Sequence, residues 1–224
     1  MIVLFDLDGT LVDSAPDLHA ALAALCAEEG RPPPSPEATR RVVSLGSRAL
    51  LASALGPLPE DPAAYEALRH RFLAFYTATG HRKTAWMGGL PELLAALNAR
   101  GHRWGVVTNK PGDLTGAVLA RLPTADVPPP ATVVAGDTLG RRKPDPAPLL
   151  HALHAAGAEL RDGLYVGDAP ADIEAARRAR LPSFVALWGY LGEDSAPEAW
   201  GADGLLERPA DLLGAPALLA GEPR

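Results

Sequence analysis

Short runs of apolar, partly β-branched residues recur along the chain, and each predicts a strand buried on both faces of a sheet. These runs occupy residues 2–5, 104–107, 132–134, 164–166 and 184–187. Helical patterns follow at residues 91–100, 113–122, 146–156 and 171–179. Strands that alternate with helices of this length predict an α/β fold, in which a mostly parallel sheet is covered on both faces.

Residues 15–82 interrupt this alternation, because they contain no convincing strand. Their apolar positions recur at helical spacing in segments near residues 17–29, 37–43, 47–55 and 62–79. Pro- and Gly-rich connections separate these segments. The pattern therefore predicts two parts, a core formed by residues 1–14 and 83–224 and a helical insertion formed by residues 15–82. Two chain crossings would join them, which permits a hinge motion.

Composition narrows the possible partners and the compartment. The chain has 224 residues with a formal net charge of −6 and no basic run, which argues against nucleic acid and against an anionic membrane surface as partners. The single cysteine, Cys26, excludes an internal disulfide and fits a reducing compartment. No apolar run approaches the roughly 18 residues of a membrane span. We therefore expect a cytoplasmic protein that is a monomer or a homodimer.

Two aspartates directly follow the first predicted strand. Asp6 and Asp8 are two residues apart, so an extended backbone would direct both side chains to the same side. Gly9 permits the sharp turn that comes next. Two neighbouring carboxylates can titrate unequally, giving one anionic nucleophile and one proton donor, and they can also bind Mg²⁺. Taken alone, an Asp-x-Asp-Gly segment fits an ordinary turn between a strand and a helix better than a catalytic site.

Three further polar segments strengthen the catalytic interpretation, because two of them end later strands and the third precedes a helix. Thr108 and Asn109 end the second run, where a hydroxyl and backbone N–H groups suit phosphate oxygens. Lys143 precedes a helix and carries a charge able to neutralise a phosphoryl group. Asp168 and Asp172 end the fourth run and supply carboxylates for a metal. Ligands of open parallel sheets bind at this edge.

With these four segments in order, the sequence resembles the haloacid dehalogenase-like hydrolase superfamily over nearly the whole chain. The matching motifs are Asp-Leu-Asp-Gly-Thr, Thr-Asn, Lys-Pro and Gly-Asp-x-x-x-Asp, which start at residues 6, 108, 143 and 167. The resemblance implies a Rossmann-like core with an inserted, all-helical C1 cap. It also implies a phosphatase, since a dehalogenase has no leaving alkoxide to protonate and no need for the second aspartate.

The resemblance assigns the catalytic roles as follows. Asp6 is expected to attack phosphorus and form an aspartyl-phosphate. Asp8 is expected to protonate the leaving oxygen and then to deprotonate the hydrolytic water. Thr108 and Lys143, with Asn109 beside them, are expected to hold the phosphoryl group of the substrate.

The same resemblance places Mg²⁺ on the Asp6 carboxylate, the Asp8 backbone carbonyl and Asp168. Asp172 has two open interpretations, because it can act on the metal through water or can simply begin the following helix. Lys110, directly after Thr-Asn, is interpreted as a residue at the rim of the site.

Substrate choice depends on the insertion. Arg48 lies in a loop that faces the active site in C1-capped relatives, where it can bind a second anionic group such as a carboxylate. Alternatively, Ser47 caps a helix and Arg48 is solvated in its first turn. Residues 5–18 and 143–150 resemble phosphoglycolate phosphatases, whereas residues 104–111 and 189–203 also resemble N-acetylmuramic acid 6-phosphate phosphatases. We therefore expect a small carboxylated phosphate ester, foremost 2-phosphoglycolate; the alternatives are the amino-sugar phosphate or another sugar phosphate and, third, a phosphomutase reaction.

Overall fold

A computed structural model describes residues 1–125, 127–192 and 195–219 of the chain. Its strands are β1 (Ile2–Phe5), β2 (Val12–Asp13), β3 (Ala85–Trp86), β4 (Arg103–Val107), β5 (Val133–Val134), β6 (Gly163–Gly167), β7 (Ser183–Ala186) and β8 (Gly204–Leu206). Its α-helices are α1 (Ala15–Glu28), α2 (Pro36–Arg40), α3 (Gly46–Leu55), α4 (Pro62–Ala78), α5 (Leu90–Ala99), α6 (Gly112–Arg121), α7 (Ala147–Ala155), α8 (Pro170–Ala179) and α9 (Pro216–Leu219).

Six strands form one sheet in the order β5-β4-β1-β6-β7-β8, and every neighbouring pair is parallel. The α/β prediction is therefore confirmed. The central strand β1 shows why its sequence is apolar throughout: Phe5 joins the core on one face of the sheet, while Leu4 joins a second core on the other. Helices pack on both sides, as parallel strands require.

The sequence missed three short strands. β8 adds a sixth strand at one edge, where Leu206 is buried but Leu205 is 38% exposed, so the segment has no continuous apolar run. Strands β2 and β3 contain two residues each and pair antiparallel beside the main sheet. Segments this short carry too few residues for a periodic signal.

All regular elements between β2 and β3 are helical, as the apolar spacing indicates. Ser35 and Asp61 accept hydrogen bonds from backbone N–H groups at the starts of α2 and α4, which fixes where those helices begin. The predicted second segment, residues 37–43, is shorter than expected, since α2 ends at Arg40 and a 3₁₀ turn follows. α1 packs on α4, and Phe72 of α4 is buried in the core that also covers β1.

The connection between the sheet and these helices is held by Tyr190, which follows β7. Its hydroxyl accepts hydrogen bonds from the backbone N–H groups of Ser14 and Ala15, at 2.7 and 3.0 Å, and donates to Asp13 at 2.7 Å. Arg40 of α2 contacts both oxygens of the same Asp13 carboxylate. The first chain crossing is therefore tied to the sheet and to α2. Among the described residues, no helix is both long and apolar enough to cross a membrane.

Because β1 is buried on both faces, Leu4→Ala and Phe5→Ala should each lower the free energy of unfolding by roughly 2–5 kcal/mol. Leu205→Ala on the exposed side of β8 is the matched control and should change it by less than about 0.5 kcal/mol. Urea unfolding followed by circular dichroism measures all three. A small effect at Leu4 alone would mean that the second face is not a packed core.

Candidate active site

The predicted site residues meet at the carboxyl ends of β1, β4 and β6. Asp6 directly follows β1, Thr108 follows β4 and Asp168 follows β6, so the parallel register of these strands brings them to one edge. A cavity of about 280 Å³ opens there beneath α3 and α4. The sequence predicts eight residues for catalysis, substrate binding or metal binding. Seven of them line this cavity, namely Asp6, Asp8, Arg48, Thr108, Asn109, Lys143 and Asp172.

Asp6 lies at the bottom of this arrangement and is only 9% exposed. The ammonium of Lys143 is 2.8 Å from its Oδ1. Burial raises the pKa of the Asp6 carboxyl to about 7; Lys143 opposes this shift, whereas the Asp172 and Asp168 carboxylates add to it. One lysine therefore does not compensate the negative charge gathered here.

Lys143 is held by three partners that leave its ammonium little freedom. Besides Asp6, it donates to Asp172 Oδ1 at 2.6 Å and to the Tyr165 hydroxyl at 2.8 Å. Burial lowers the pKa of Lys143, but the Asp172 and Asp6 carboxylates outweigh it and the net shift is upward. The lysine is thus a fixed positive charge beside Asp6.

The structure also answers what Asp172 does within the protein. Its Oδ1 accepts hydrogen bonds from Lys143 and from the Tyr165 hydroxyl, and its Oδ2 accepts the backbone N–H of Ala169 at the start of α8. The carboxylate therefore begins the helix, as one of the two interpretations held, and also orients the lysine. Neither this contact with Lys143 nor the part played by Tyr165 could be predicted from the sequence motifs.

Asp168 faces Asp6 from the end of β6. Thr10 donates to its Oδ1 at 2.8 Å, while Ser44 and the backbone N–H of Tyr190 donate to its Oδ2 at 2.6 and 2.9 Å. Burial and the neighbouring Asp172 raise the pKa of Asp168 to about 6, although these three donors lower it. Ser44 belongs to the turn before α3, so this carboxylate touches the helical insertion directly.

The three carboxylates have the chemistry of a divalent-cation site. Oxygens of Asp6, Asp168 and Asp172 lie within 4.8 Å of one another. Lys143 contributes one positive charge against three buried carboxylates, which leaves two negative charges that a divalent cation would compensate. Carboxylate oxygens are the ligands that hard cations prefer. The donor set therefore fits the metal that the sequence predicts.

The carboxyl of Asp8 forms an ion pair with Lys110. The Lys110 ammonium contacts Asp8 Oδ1 and Oδ2 at 2.9 and 3.1 Å, and Ser14 donates to the same Oδ1. The Lys110 side chain is only 5% exposed. Its interpretation as a rim residue is wrong, because the turn after Thr108 directs it inward, where Tyr76 of α4 completes its contacts.

Thr108 and Asn109 shape the wall between β4 and the Lys143 segment. Thr108 is buried, and its Oγ1 accepts the backbone N–H of Lys110. The Asn109 amide donates to the Lys143 carbonyl at 3.0 Å and accepts the Lys143 backbone N–H at 2.9 Å. This reciprocal pair fixes the lysine segment against β4, while the predicted contacts of Thr108 and Asn109 with substrate remain predictions.

Arg48 reaches the cavity from α3, where its guanidinium carbon lies 4.2 Å from the centre of the Tyr65 ring. The expected Ser47 cap is wrong, because Leu45 is the N-cap residue and Ser47 lies inside the helix. The other part of that alternative agrees with the structure, since Arg48 is exposed in the first turn of α3. Two further arginines that the sequence did not single out, Arg69 and Arg142, line the same cavity. Glu193 and Asp194, which carry part of one resemblance, lie outside the described residues.

Comparisons with known proteins show what this chain is similar to. The model of the haloacid dehalogenase-like hydrolase family matches residues 3–186. A phosphoglycolate phosphatase from Xanthomonas campestris pv. campestris is 45% identical over 210 residues, covering 94% of this chain and 93% of the relative. An N-acetylmuramic acid 6-phosphate phosphatase from Pseudomonas aeruginosa is 40% identical over 211 residues, covering 94% and 92%. The crystal structure of a predicted phosphoglycolate phosphatase from Haemophilus somnus has a TM-score of 0.81 at 25% identity, covering 95% of this chain and 96% of that chain.

The raised pKa values of Asp6 and Asp168 make a prediction for the metal-free protein. Folding holds protons on both carboxyls that the unfolded chain releases near pH 4, so their contribution to the free energy of unfolding falls as pH rises towards 7. A divalent cation needs the ionised carboxylates. Saturating Mg²⁺ should therefore raise the melting temperature more at about pH 8 than at about pH 5.

Differential scanning fluorimetry of EDTA-treated protein with and without Mg²⁺ measures this gain. Asp168→Asn is the variant that removes a ligand, and it should show a much smaller gain at either pH. An equal gain at both pH values, or an undiminished gain in the variant, would contradict the site.

Proposed function

The chain belongs to the haloacid dehalogenase-like hydrolase family, and we propose that it is a Mg²⁺-dependent phosphomonoester hydrolase in which Asp6 is the nucleophile. The observation that carries the proposal is a paired arrangement at one cavity. Asp6 lies 2.8 Å from the Lys143 ammonium, while Asp8, two residues on, lies 2.9 Å from the separate Lys110 ammonium. Two carboxylates in unlike surroundings suit the two unlike roles of nucleophile and acid.

In the first step, an oxygen of the Asp6 carboxylate bonds to phosphorus as the bond from phosphorus to the leaving oxygen breaks. The Asp8 carboxyl gives its proton to that oxygen, which departs as an alcohol and leaves Asp8 ionised. Lys143 and the Thr108 hydroxyl face the phosphoryl oxygens. Because Lys143 is already held by Asp172 and Tyr165, it need not reorganise as charge shifts.

In the second step, water attacks the aspartyl-phosphate and the Asp8 carboxylate takes its proton. The bond between phosphorus and the Asp6 oxygen breaks, so inorganic phosphate leaves and Asp6 is again a carboxylate. Asp6, Asp168 and the Asp8 backbone carbonyl would hold Mg²⁺, which supplies compensation of the charge on the phosphoryl oxygens. Asp172, whose oxygens are engaged by Lys143, Tyr165 and Ala169, acts on Lys143.

Residues 15–82 act as a cap in this proposal, and residues 1–14 and 83–224 form the catalytic core. The helices lie over the cavity, and Ser44 reaches down to Asp168. A closed cavity excludes water while the ester is bound, and the two crossings at β2 and β3 allow it to open. We place the reaction in the cytoplasm, as the single cysteine indicates.

We propose 2-phosphoglycolate as the substrate. Relatives named phosphoglycolate phosphatase include two that are 45% and 44% identical to this chain. A carboxylated ester also suits the three arginines that line the cavity, Arg48, Arg69 and Arg142. Of these, Arg48 is available to bind a carboxylate. The 40% identical relative named N-acetylmuramic acid 6-phosphate phosphatase keeps that sugar phosphate as the second candidate. A phosphomutase reaction is the third candidate, and release of free phosphate in the assay would exclude it.

Asp6→Asn should abolish Mg²⁺-dependent phosphate release, because an amide is a poor nucleophile and cannot form the aspartyl-phosphate. Phosphate release from p-nitrophenyl phosphate and from 2-phosphoglycolate measures the loss. Asp113→Asn is the matched control: this aspartate is exposed at the start of α6, so its activity should stay near that of the wild type. Activity retained by Asp6→Asn would refute the mechanism.

The substrate proposal predicts a higher kcat/KM for 2-phosphoglycolate than for N-acetylmuramic acid 6-phosphate. Arg48→Ala should raise the KM for 2-phosphoglycolate by roughly tenfold, about the worth of one charge-assisted hydrogen bond, and that for p-nitrophenyl phosphate much less. A preference for the amino-sugar phosphate would select the second candidate. Equal KM changes for both esters would remove Arg48 from substrate recognition.

A further inference from the structure

We propose that Lys110 is a positioning residue for the Asp8 carboxyl, and that the Tyr76 hydroxyl on α4 holds Lys110 in that place. Protonation of the leaving oxygen then depends on a contact between the helical insertion and the loop after β4. This inference rests on the proposed function, since it concerns the acid that the reaction needs.

The ammonium of Lys110 contacts Asp8 and Tyr76. Its ammonium donates to both oxygens of Asp8, at 2.9 and 3.1 Å, and to the Tyr76 hydroxyl at 2.9 Å. It also lies 4.4 Å from the centre of the Tyr76 ring. A lysine that is 5% exposed has lost most of its water, so these contacts must compensate its charge. Such a lysine is fixed in direction, unlike one at a rim.

Asp8 depends on Lys110 for its orientation. Ser14 donates to one oxygen of the carboxyl, which alone would let the group turn about that single contact. Lys110 reaches both oxygens and therefore sets the plane of the carboxyl.

The two lysines of the site are anchored to different parts of the molecule. Lys143, beside the nucleophile, is held by Asp172 and Tyr165, which belong to α8 and β6. Lys110, beside the acid, is held by Tyr76 of α4. Tyr76 is itself fully buried and packs edge-on against His81 at 4.6 Å between ring centres. Of the two carboxylate–lysine pairs, it is thus the pair of Asp8 and Lys110 that is linked to the inserted helices.

A positioning role for the acid makes the effect of a substitution depend on the leaving group. An alkoxide must receive the Asp8 proton as its bond to phosphorus breaks, whereas p-nitrophenolate leaves without one. A residue needed only for folding, or one that binds the phosphoryl group, would affect both esters alike. The ratio of the two kcat/KM values therefore separates positioning of the acid from folding and from phosphoryl binding, because kcat/KM reports formation of the aspartyl-phosphate. The same kinetics distinguish a residue that binds the carboxylate, which would raise KM as predicted for Arg48→Ala, from one that positions the acid, which lowers kcat.

The experiment compares kcat/KM for 2-phosphoglycolate and for p-nitrophenyl phosphate with saturating Mg²⁺. Lys110→Met keeps the length of the side chain and removes its charge. It should lower the value for 2-phosphoglycolate about 100-fold, within the usual worth of general acid catalysis, and that for p-nitrophenyl phosphate less than about threefold. Tyr76→Phe should give the same order with a smaller loss, roughly three- to tenfold on the alkyl ester. Lys83→Met, at an exposed lysine, is the matched control and should change neither value.

Thermal unfolding and circular dichroism check that each variant is folded. If Lys110→Met does not fold, Tyr76→Phe provides the test of the inference. Equal losses on both esters would overturn the inference while leaving the proposed function intact. Loss in Lys110→Met without any leaving-group-dependent loss in Tyr76→Phe would overturn the part assigned to α4. A wild-type protein that hydrolyses neither ester would overturn the proposed function and this inference together.

Discussion

The buried ion pair between Asp6 and Lys143 is the interaction around which the site is arranged. A carboxylate at the end of a central parallel strand is surrounded by apolar sheet and helix, so it loses most of its water. Lys143 restores part of that loss, but Lys143 must itself be satisfied, and Asp172 with Tyr165 does this. Burial raises the pKa of Asp6 to about 7, and the Asp172 and Asp168 carboxylates add to this shift. The site therefore gathers negative charge that protons compensate at low pH and that a bound divalent cation would compensate at higher pH.

That imbalance links metal binding to the helical insertion. Asp168 is the carboxylate that faces Asp6, and its oxygens accept hydrogen bonds from the core at Thr10 and from the insertion at Ser44. Tyr190 contributes twice, since its backbone N–H reaches Asp168 and its hydroxyl holds the chain crossing at Asp13. A change in how the helices sit over the cavity must therefore alter the hydrogen-bond partners of a carboxylate that we propose as a metal ligand. The insertion takes part in the chemistry of the site as well as in enclosing it.

The sequence predicts some parts of the fold and of the site but not others. The five predicted strands and their helices follow from apolar runs. Burial on both faces of the sheet leaves a continuous apolar run such as residues 2–5. Asp6, Asp8 and Lys143 follow from local motifs at strand ends. Tyr190 does not, because its contacts join residues 177 and 176 positions apart, and no local spacing records such a pair. β8 was missed for the opposite reason, since it is local but too short and too exposed.

Lys110 lies between these cases, because its signal was present but incomplete. The chain has three lysines among 21 basic residues, and two of them lie in or beside the catalytic motifs. An ammonium is compact and has three donors on a flexible stem, so it can contact partners in three directions inside a small space; the planar guanidinium of arginine cannot. Lys143 contacts three groups in this way, and Lys110 contacts three oxygens that belong to two groups. Two of the three lysines are thus buried charges, whereas the third, Lys83, is exposed. The partner Tyr76, 34 positions from Lys110, had to be found in the fold.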